Sequence, residues 1–277
     1  MSKKIGFVGL GTMGFPMAIN LKKAGFEVVG YDAFKGVYEK ARSAGITVVE
    51  TLKEVAEQSG EAVISMVRDY AQNVEVILGK DGLLAAQSKG KTIIVMSTLD
   101  PETMNGLGEK VQKESDFTLI SAAVSGGRSG AEAGTLSIMT SGSEVIVKSL
   151  QPYFEAMGAN IFYYGYKPGN SQVAKLVNNM ILGITMNAVA EGLKLSNSYN
   201  LPQDALFSLL KVSTGDSWVV RNWADVSEWT AETALAVLLK DLKAAHGEGL
   251  SRNVTLPFNA LASTQLFDAM GKKKHLP

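Results

Sequence analysis

The 277-residue chain has no cysteine and only two histidines, His246 and His275. Without cysteine there is no disulfide, no thiol nucleophile and no thiolate metal site. Two histidines give no basis for a histidine-built metal centre or triad, so no metal is expected and proton chemistry falls to Lys, Asp, Glu or Tyr. Excess charge is also lacking, with 27 basic against 27 acidic residues. That balance points away from nucleic-acid and acidic-membrane partners. The one basic run, Lys272-Lys273-Lys274, reads as a solvated tail. No apolar stretch is expected to approach the ~20 residues of a membrane span. The N-terminus enters a strand pattern with no signal peptide, so a cytoplasmic location is expected.

What is present begins with the core. Hydrophobic residues make up 46% of the chain, enough for one large domain or two ordinary ones. The opening run sets the organisation: residues 5–8 are apolar, as a buried parallel strand requires, and Gly9-Leu10-Gly11-Thr12-Met13-Gly14 follows as G-x-G-x-x-G. Met17, Leu21 and Ala24 then recur at helical spacing. Strand, glycine turn and helix together form the context of a dinucleotide site. In it Gly9 makes the tight turn, Gly11 lets backbone approach a pyrophosphate, and Gly14 lets helix and strand pack closely. The helix N-terminus adds N–H groups and partial positive charge. Asp32 ends the next apolar run, about twenty residues on, where a carboxylate accepts from the adenosine ribose and repels a 2′-phosphate. This favours NAD over NADP, with Lys35 near enough to keep NADP possible; as an alternative, Asp32 caps the following helix.

Through the first half, short β-like runs alternate with helical patterns, as in a doubly wound sheet. Strands are predicted at 47–49, 62–66, 92–96, 118–122, 136–140 and 161–163, and helices at 37–44, 52–58, 71–78 and 102–113. Ligands bind outside the carboxyl ends of such strands, which singles out residues 66–68, 97–98 and 125–127. A turn cluster, Gly165-Tyr166-Lys167-Pro168-Gly169-Asn170, closes this pattern. After it comes a helical periodicity of about 28 residues from Val173, then helices at 203–212, 234–249 and 257–270, with no further strand. The expected architecture is therefore a Rossmann-type dinucleotide-binding domain over 1–166, followed by an all-α domain over 167–277. The long helix that opens the second is expected along the interface.

Four motifs in order resemble the β-hydroxyacid dehydrogenase family, the relatives of 3-hydroxyisobutyrate and tartronate-semialdehyde dehydrogenases. Residues 7–17 with Asn20-Leu21 look like its N-terminal signature. Val124-Ser125-Gly126-Gly127 with Gly134-Thr135 resembles its substrate loop, although Ser121 and Ala123 stand where the family usually carries Asp and Pro. Gly169-Asn170-Ser171-Gln172-Val173-Ala174-Lys175 with Asn178-Asn179 resembles its catalytic helix, and Lys240-Asp241 its later lysine–aspartate pair. The match runs along nearly the whole chain.

The resemblance implies hydride transfer between NAD(H) and a small carboxylated 3-hydroxy acid or its semialdehyde. Ser125 and the N–H groups of Gly126 and Gly127 would hold the carboxylate; successive glycines permit such a row of donors. Lys175 would be the general acid/base, since burial lowers an amine's pKa toward working pH. Asn179, one turn on along the same helix face, would bind substrate. Lys240 would reach the cofactor, and Asp241 would support the lysine at the substrate. Val67-Arg68 stands beside the cofactor where relatives mostly carry Leu-Pro. Thr98, after Ser97, would touch the nicotinamide and also serve as N-cap before Pro101. Gly215-Asp216-Ser217-Trp218 resembles a segment of threonate-type members, a hint of a four-carbon polyhydroxy acid. A homodimer or homotetramer is implied. The alternatives are a catalytically silent cofactor-binding scaffold and an NADP-dependent semialdehyde reductase. Phosphogluconate-type decarboxylation would need a longer helical domain, and imine reductases usually lack a lysine at position 175.

Overall fold

The computed structural model describes residues 4–88 and 90–272. Lys273 and Lys274 of the expected basic tail, and His275, lie outside the described residues. The chain divides into two compact units, one ending at Lys175 and the other beginning at Leu176.

The first unit is built on one sheet of eight strands. These are β1 (Lys4–Val8), β2 (Glu27–Tyr31), β3 (Thr47–Val48), β4 (Ala62–Ser65), β5 (Thr92–Val95), β6 (Thr118–Ser125), β7 (Leu136–Ser141) and β8 (Gly158–Tyr163). Their spatial order is β3-β2-β1-β4-β5-β6-β7-β8, and every pairing is parallel except β6 with β7. Strand residues alternate between two buried clusters: Phe7, Ile64 and Ile94 enter one, while Val8, Val63, Ile93 and Val95 enter the other. That alternation is the period of two expected when a sheet is covered on both faces. It explains why β4 and β5 read as unbroken apolar runs.

Helices α1 (Gly14–Lys23), α2 (Tyr38–Ser43), α3 (Leu52–Gln58), α4 (Tyr70–Leu78) and α5 (Pro101–Glu114) cover the parallel part, and α6 (Gly127–Ala133), α7 (Glu144–Ser149) and α8 (Gln151–Met157) follow. Local chemistry fixes several starts. Thr51 and Glu54 form a capping box on α3. Asp69 caps α4, and Asp100 accepts from the Thr103 N–H with Pro101 at the first turn of α5. Thr98 is therefore not the cap of α5, because Asp100 lies nearer and holds the bond. Helices α6 to α8 were not expected: they are short, and α6 has two glycines, two charged residues and little apolar periodicity.

The long helix α9 (Gly169–Ser198) begins in the first unit and ends in the second. By length and composition it could cross a membrane, which corrects the expectation that no segment qualifies. Polar residues split it into shorter apolar runs, so counting consecutive residues overlooks it. Two of these, Ser171 and Gln172, are fully buried.

The second unit comprises the rest of α9 with α10 (Gln203–Leu210), α11 (Trp218–Arg221), α12 (Trp223–Val226), α13 (Ala234–Ser251) and α14 (Pro257–Ala269). Its core joins Met186, Val219, Leu235, Leu242 and Leu266. No strand follows β8 among the described residues.

Candidate functional site

The glycine turn sits where the strand order reverses, since β1 lies between β2 and β4. Ligands of open α/β sheets bind at this switch point. The Gly9 N–H donates to the Tyr31 carbonyl (2.9 Å), and the Met66 N–H donates to that of Val8 (2.8 Å). Gly9 has φ +92°, and a Cβ there would strike the Met66 carbonyl. A Cβ on Gly14 would strike the Gly9 carbonyl, whereas above Gly11 the space is open. Gly11 and Thr12 are exposed, Met13 is half-buried, and α1 starts with no side-chain cap. The turn thus offers an uncapped helix N-terminus behind a glycine with free space over it, and that fits a pyrophosphate.

Asp32 follows β2 at the same end. One carboxylate oxygen accepts the Leu10 N–H and the other the Phe34 N–H, each at 2.7 Å. The carboxylate therefore holds the glycine turn in place and caps no helix. Lys35, the cation that kept NADP possible, is ion-paired to Glu50 at 2.7 Å, and Arg42 reaches the same carboxylate at 3.5 Å. The hydrogen bond from Lys35 and its positive charge draw Glu50 below the usual carboxylate range, while Glu50 raises Lys35.

The loops after β4 and β5 are joined below the surface. The Ser97 hydroxyl donates to the Val67 carbonyl (2.7 Å) and accepts from Asn73 Nδ2 (3.1 Å), and Asn73 Oδ1 accepts from Ser65 (2.9 Å). Val67 is half-buried in this arrangement, whereas the Arg68 side chain is exposed. Thr98 is half-buried between Ser97 and Leu99.

Ser125 is the last residue of β6 rather than part of the following loop, and Gly126 and Gly127 lead into α6. The two glycines are exposed with φ +131° and +61°, and open space lies over Gly127. Ser121, four residues earlier, does not face this loop. It is fully buried and accepts hydrogen bonds from Ser171 Oγ (2.7 Å) and Gln172 Nε2 (2.9 Å). A hydroxyl at this position is a docking point for the start of α9, a role invisible in the sequence because its partners lie some fifty residues away.

On α9, Lys175 is 8% exposed, unusual for a lysine without a specific role. It lies one turn beyond Ser171 and Gln172, both tied to the sheet. The Ser141 hydroxyl bonds Ser171 (2.9 Å) and the Pro168 carbonyl (2.6 Å), which fixes the helix entry.

Within the second unit, Asn179 is buried and donates to Asp241 Oδ2 at 2.6 Å, and its Oδ1 accepts from Asn178. Asp241 is 1% exposed. The ammonium of Lys240, whose side chain is about half exposed, lies 3.3 Å from Asp241 Oδ1. The Gly215–Trp218 segment is shaped by Arg221, which grips Asp216 with two bonds (3.0 and 2.9 Å), and by Ser217, which caps α11. Trp218 is half exposed beside Trp229.

Residues 4–165 match the family described as the NAD binding domain of 6-phosphogluconate dehydrogenase. Residues 169–275 match the NAD-binding family of NADP-dependent 3-hydroxyisobutyrate dehydrogenase. The chain is 33% identical to the mitochondrial 3-hydroxyisobutyrate dehydrogenase of Mus musculus over 97% of its length and 82% of the relative's. The chain belongs to the β-hydroxyacid dehydrogenase family. It is an NAD(P)-binding oxidoreductase acting on a CH–OH group. This β-hydroxyacid dehydrogenase is also 33% identical to an NAD-dependent L-serine dehydrogenase of Pseudomonas aeruginosa, covering 94% of this chain and 90% of the other. Its fold superposes with a TM-score of 0.82 on a Mycobacterium tuberculosis 3-hydroxyisobutyrate dehydrogenase solved with L-serine. The two are 27% identical, with 95% and 92% of the chains covered.

Proposed function

We propose that this β-hydroxyacid dehydrogenase oxidises a small 3-hydroxy acid with NAD, using Lys175 as general base and, in reverse, general acid. Bound NAD supplies the acceptor for the hydride that leaves the hydroxyl-bearing carbon. The Lys175 amine takes the hydroxyl proton as that bond breaks and returns it when a semialdehyde is reduced. Ser125 Oγ and the N–H groups of Gly126 and Gly127 hold the carboxylate, since side-chain-free glycines leave those donors uncovered. We carry over from the family resemblance Asn179 as a substrate ligand and Lys240 as a cofactor ligand. Asp241 enters the reading through its grip on the Asn179 amide. Homo-oligomeric assembly rests on the same resemblance.

The observation that carries this reading is the burial of Lys175 one turn beyond two residues bonded to β6 and to the loop after β5. NAD is preferred to NADP because Asp32 presents a carboxylate at the ribose end, while Lys35 and Arg42 are both drawn to Glu50. Lys175 also argues against a silent scaffold, because it stands at the position where the resemblance places the catalytic lysine.

The test is a panel of threonate, 3-hydroxyisobutyrate, L-serine, 3-hydroxypropionate and glycerate, each assayed with NAD and NADP. Turnover of at least one acid, with a higher kcat/KM for NAD, is expected. Binding of NADH with no turnover of any acid, or a clear preference for NADP, would contradict the proposal.

A further inference from the structure

We infer that Gln172 is a positioning residue that locks the turn carrying Lys175 to the loop carrying Thr98. The inference rests on the proposed role of Lys175 and adds to it. The Gln172 amide is completely buried. Its Oε1 accepts the Leu99 N–H (2.9 Å), and its Nε2 donates to the Ser97 carbonyl (3.0 Å) and to Ser121 Oγ (2.9 Å). A backbone N–H can only donate and a carbonyl can only accept, so the orientation of this amide is fixed by its partners. The side chain grips the backbone on both sides of Thr98, as a neighbouring strand would.

Further bonds extend the lock. The Ser97 hydroxyl is bonded to Val67 and Asn73, and Ser171, beside Gln172, is bonded to Ser121 and Ser141. Lys175 is three residues beyond Gln172 and four beyond Ser171, on the same face of α9. Every group in the lock belongs to the first unit. Shifting the first turn of α9 would therefore shift Lys175 against the loop that Thr98 occupies. Proton and hydride transfer must stay in register, and misplacement by ~1 Å costs on the order of a hundredfold in rate. Glutamine suits the task because it supplies both an acceptor and two donors from one rigid plane; leucine would remove the partner of the Leu99 N–H and of the Ser97 carbonyl and one of the two bonds to Ser121.

The experiment compares wild type, Gln172→Leu, Gln172→Glu and Lys175→Ala for kcat, KM, NADH affinity by fluorescence, and thermal midpoint. For Gln172→Leu the inference predicts kcat lower by roughly ten- to a hundredfold, with NADH affinity and substrate KM close to wild type. Deuterium exchange of the Leu99 amide should also speed up. In Gln172→Glu an ionised carboxylate faces the Ser97 carbonyl, whereas the protonated acid restores a donor. Burial raises the pKa of such a carboxyl, so its kcat deficit relative to wild type should shrink as pH falls. A residue that merely stabilised the fold would lower the thermal midpoint without this pH-dependent recovery. If Gln172→Leu does not fold, the pH dependence of Gln172→Glu decides alone. A folded Gln172 variant with wild-type kcat at every pH, beside an inactive Lys175→Ala, overturns the positioning role and leaves the lysine's role standing. An active Lys175→Ala overturns both.

Discussion

Asp32 shows what a single side chain can and cannot reveal from sequence. Its distance from the glycines led to the expectation that it meets the ribose of a dinucleotide. Its grip on the Leu10 N–H was not legible, because that bond depends on how β1 and β2 align. The carboxylate thus holds the glycine turn, and under the proposed function it meets the ribose as well. Asp32→Ala removes two charge-assisted hydrogen bonds, each worth roughly 1.5–3 kcal/mol. NADH affinity should fall by about tenfold or more, and discrimination against NADPH should narrow. Fluorescence titration with both cofactors checks this, and an unchanged NADH affinity would refute it.

Tyr153 is a residue the sequence did not mark. Its phenol is buried and donates to Glu61 Oε1 at 3.0 Å. Burial first, and then Glu61, push it well above the usual tyrosine range. A folded-state pKa above the unfolded value of ~10 favours the protonated folded form. The stability this gives is complete below pH ~10 and is lost as pH climbs toward the raised folded value. Tyr153→Phe should therefore cost about 1 kcal/mol at neutral pH and flatten the fall in stability above pH ~10. Part of the slope should persist through Tyr38, also raised chiefly by burial. Urea midpoints at pH 8 and 10.5 provide the measurement; equal slopes in both proteins would count against this reading.

Among the elements, strands and helices of the parallel sheet were legible because buried parallel strands are apolar throughout and their helices carry ordinary caps. Helices α6 to α8 were not, since they are short and lean on the sheet rather than on their own periodicity. The instructive element is α9. Its periodicity announced a long helix, and the turn cluster before it suggested a boundary near 166. The compact first unit nevertheless runs on to Lys175, because Ser171 and Gln172 are bonded into the sheet and Gly169 N–H donates to Asn105 Oδ1 at 2.8 Å. Such partners lie far away in the chain, and no local pattern announces them. Asn105→Ala should release the helix entry at a cost of about 1 kcal/mol. That corresponds to a thermal midpoint lower by roughly 2–4 °C, read by calorimetry. An unchanged midpoint would show that the serine bonds alone secure the entry.

For the molecule as a whole, what the sequence lacks did much to define the chemistry. With no thiol and no histidine cluster, proton chemistry was left to Lys, Asp, Glu or Tyr, and the family resemblance singled out Lys175, which the fold buries. The family assignment agrees with both units, whereas the identity of the acid depends on substrate-contacting side chains that no backbone motif specifies. The proton-transfer role of Lys175 is decided by NADH formation by Lys175→Ala on the best acid of the panel, alongside its NADH affinity. The account predicts a rate lower by about a hundred- to ten-thousandfold, the span of general acid–base catalysis, with cofactor affinity retained. A variant that forms NADH as fast as wild type would contradict it.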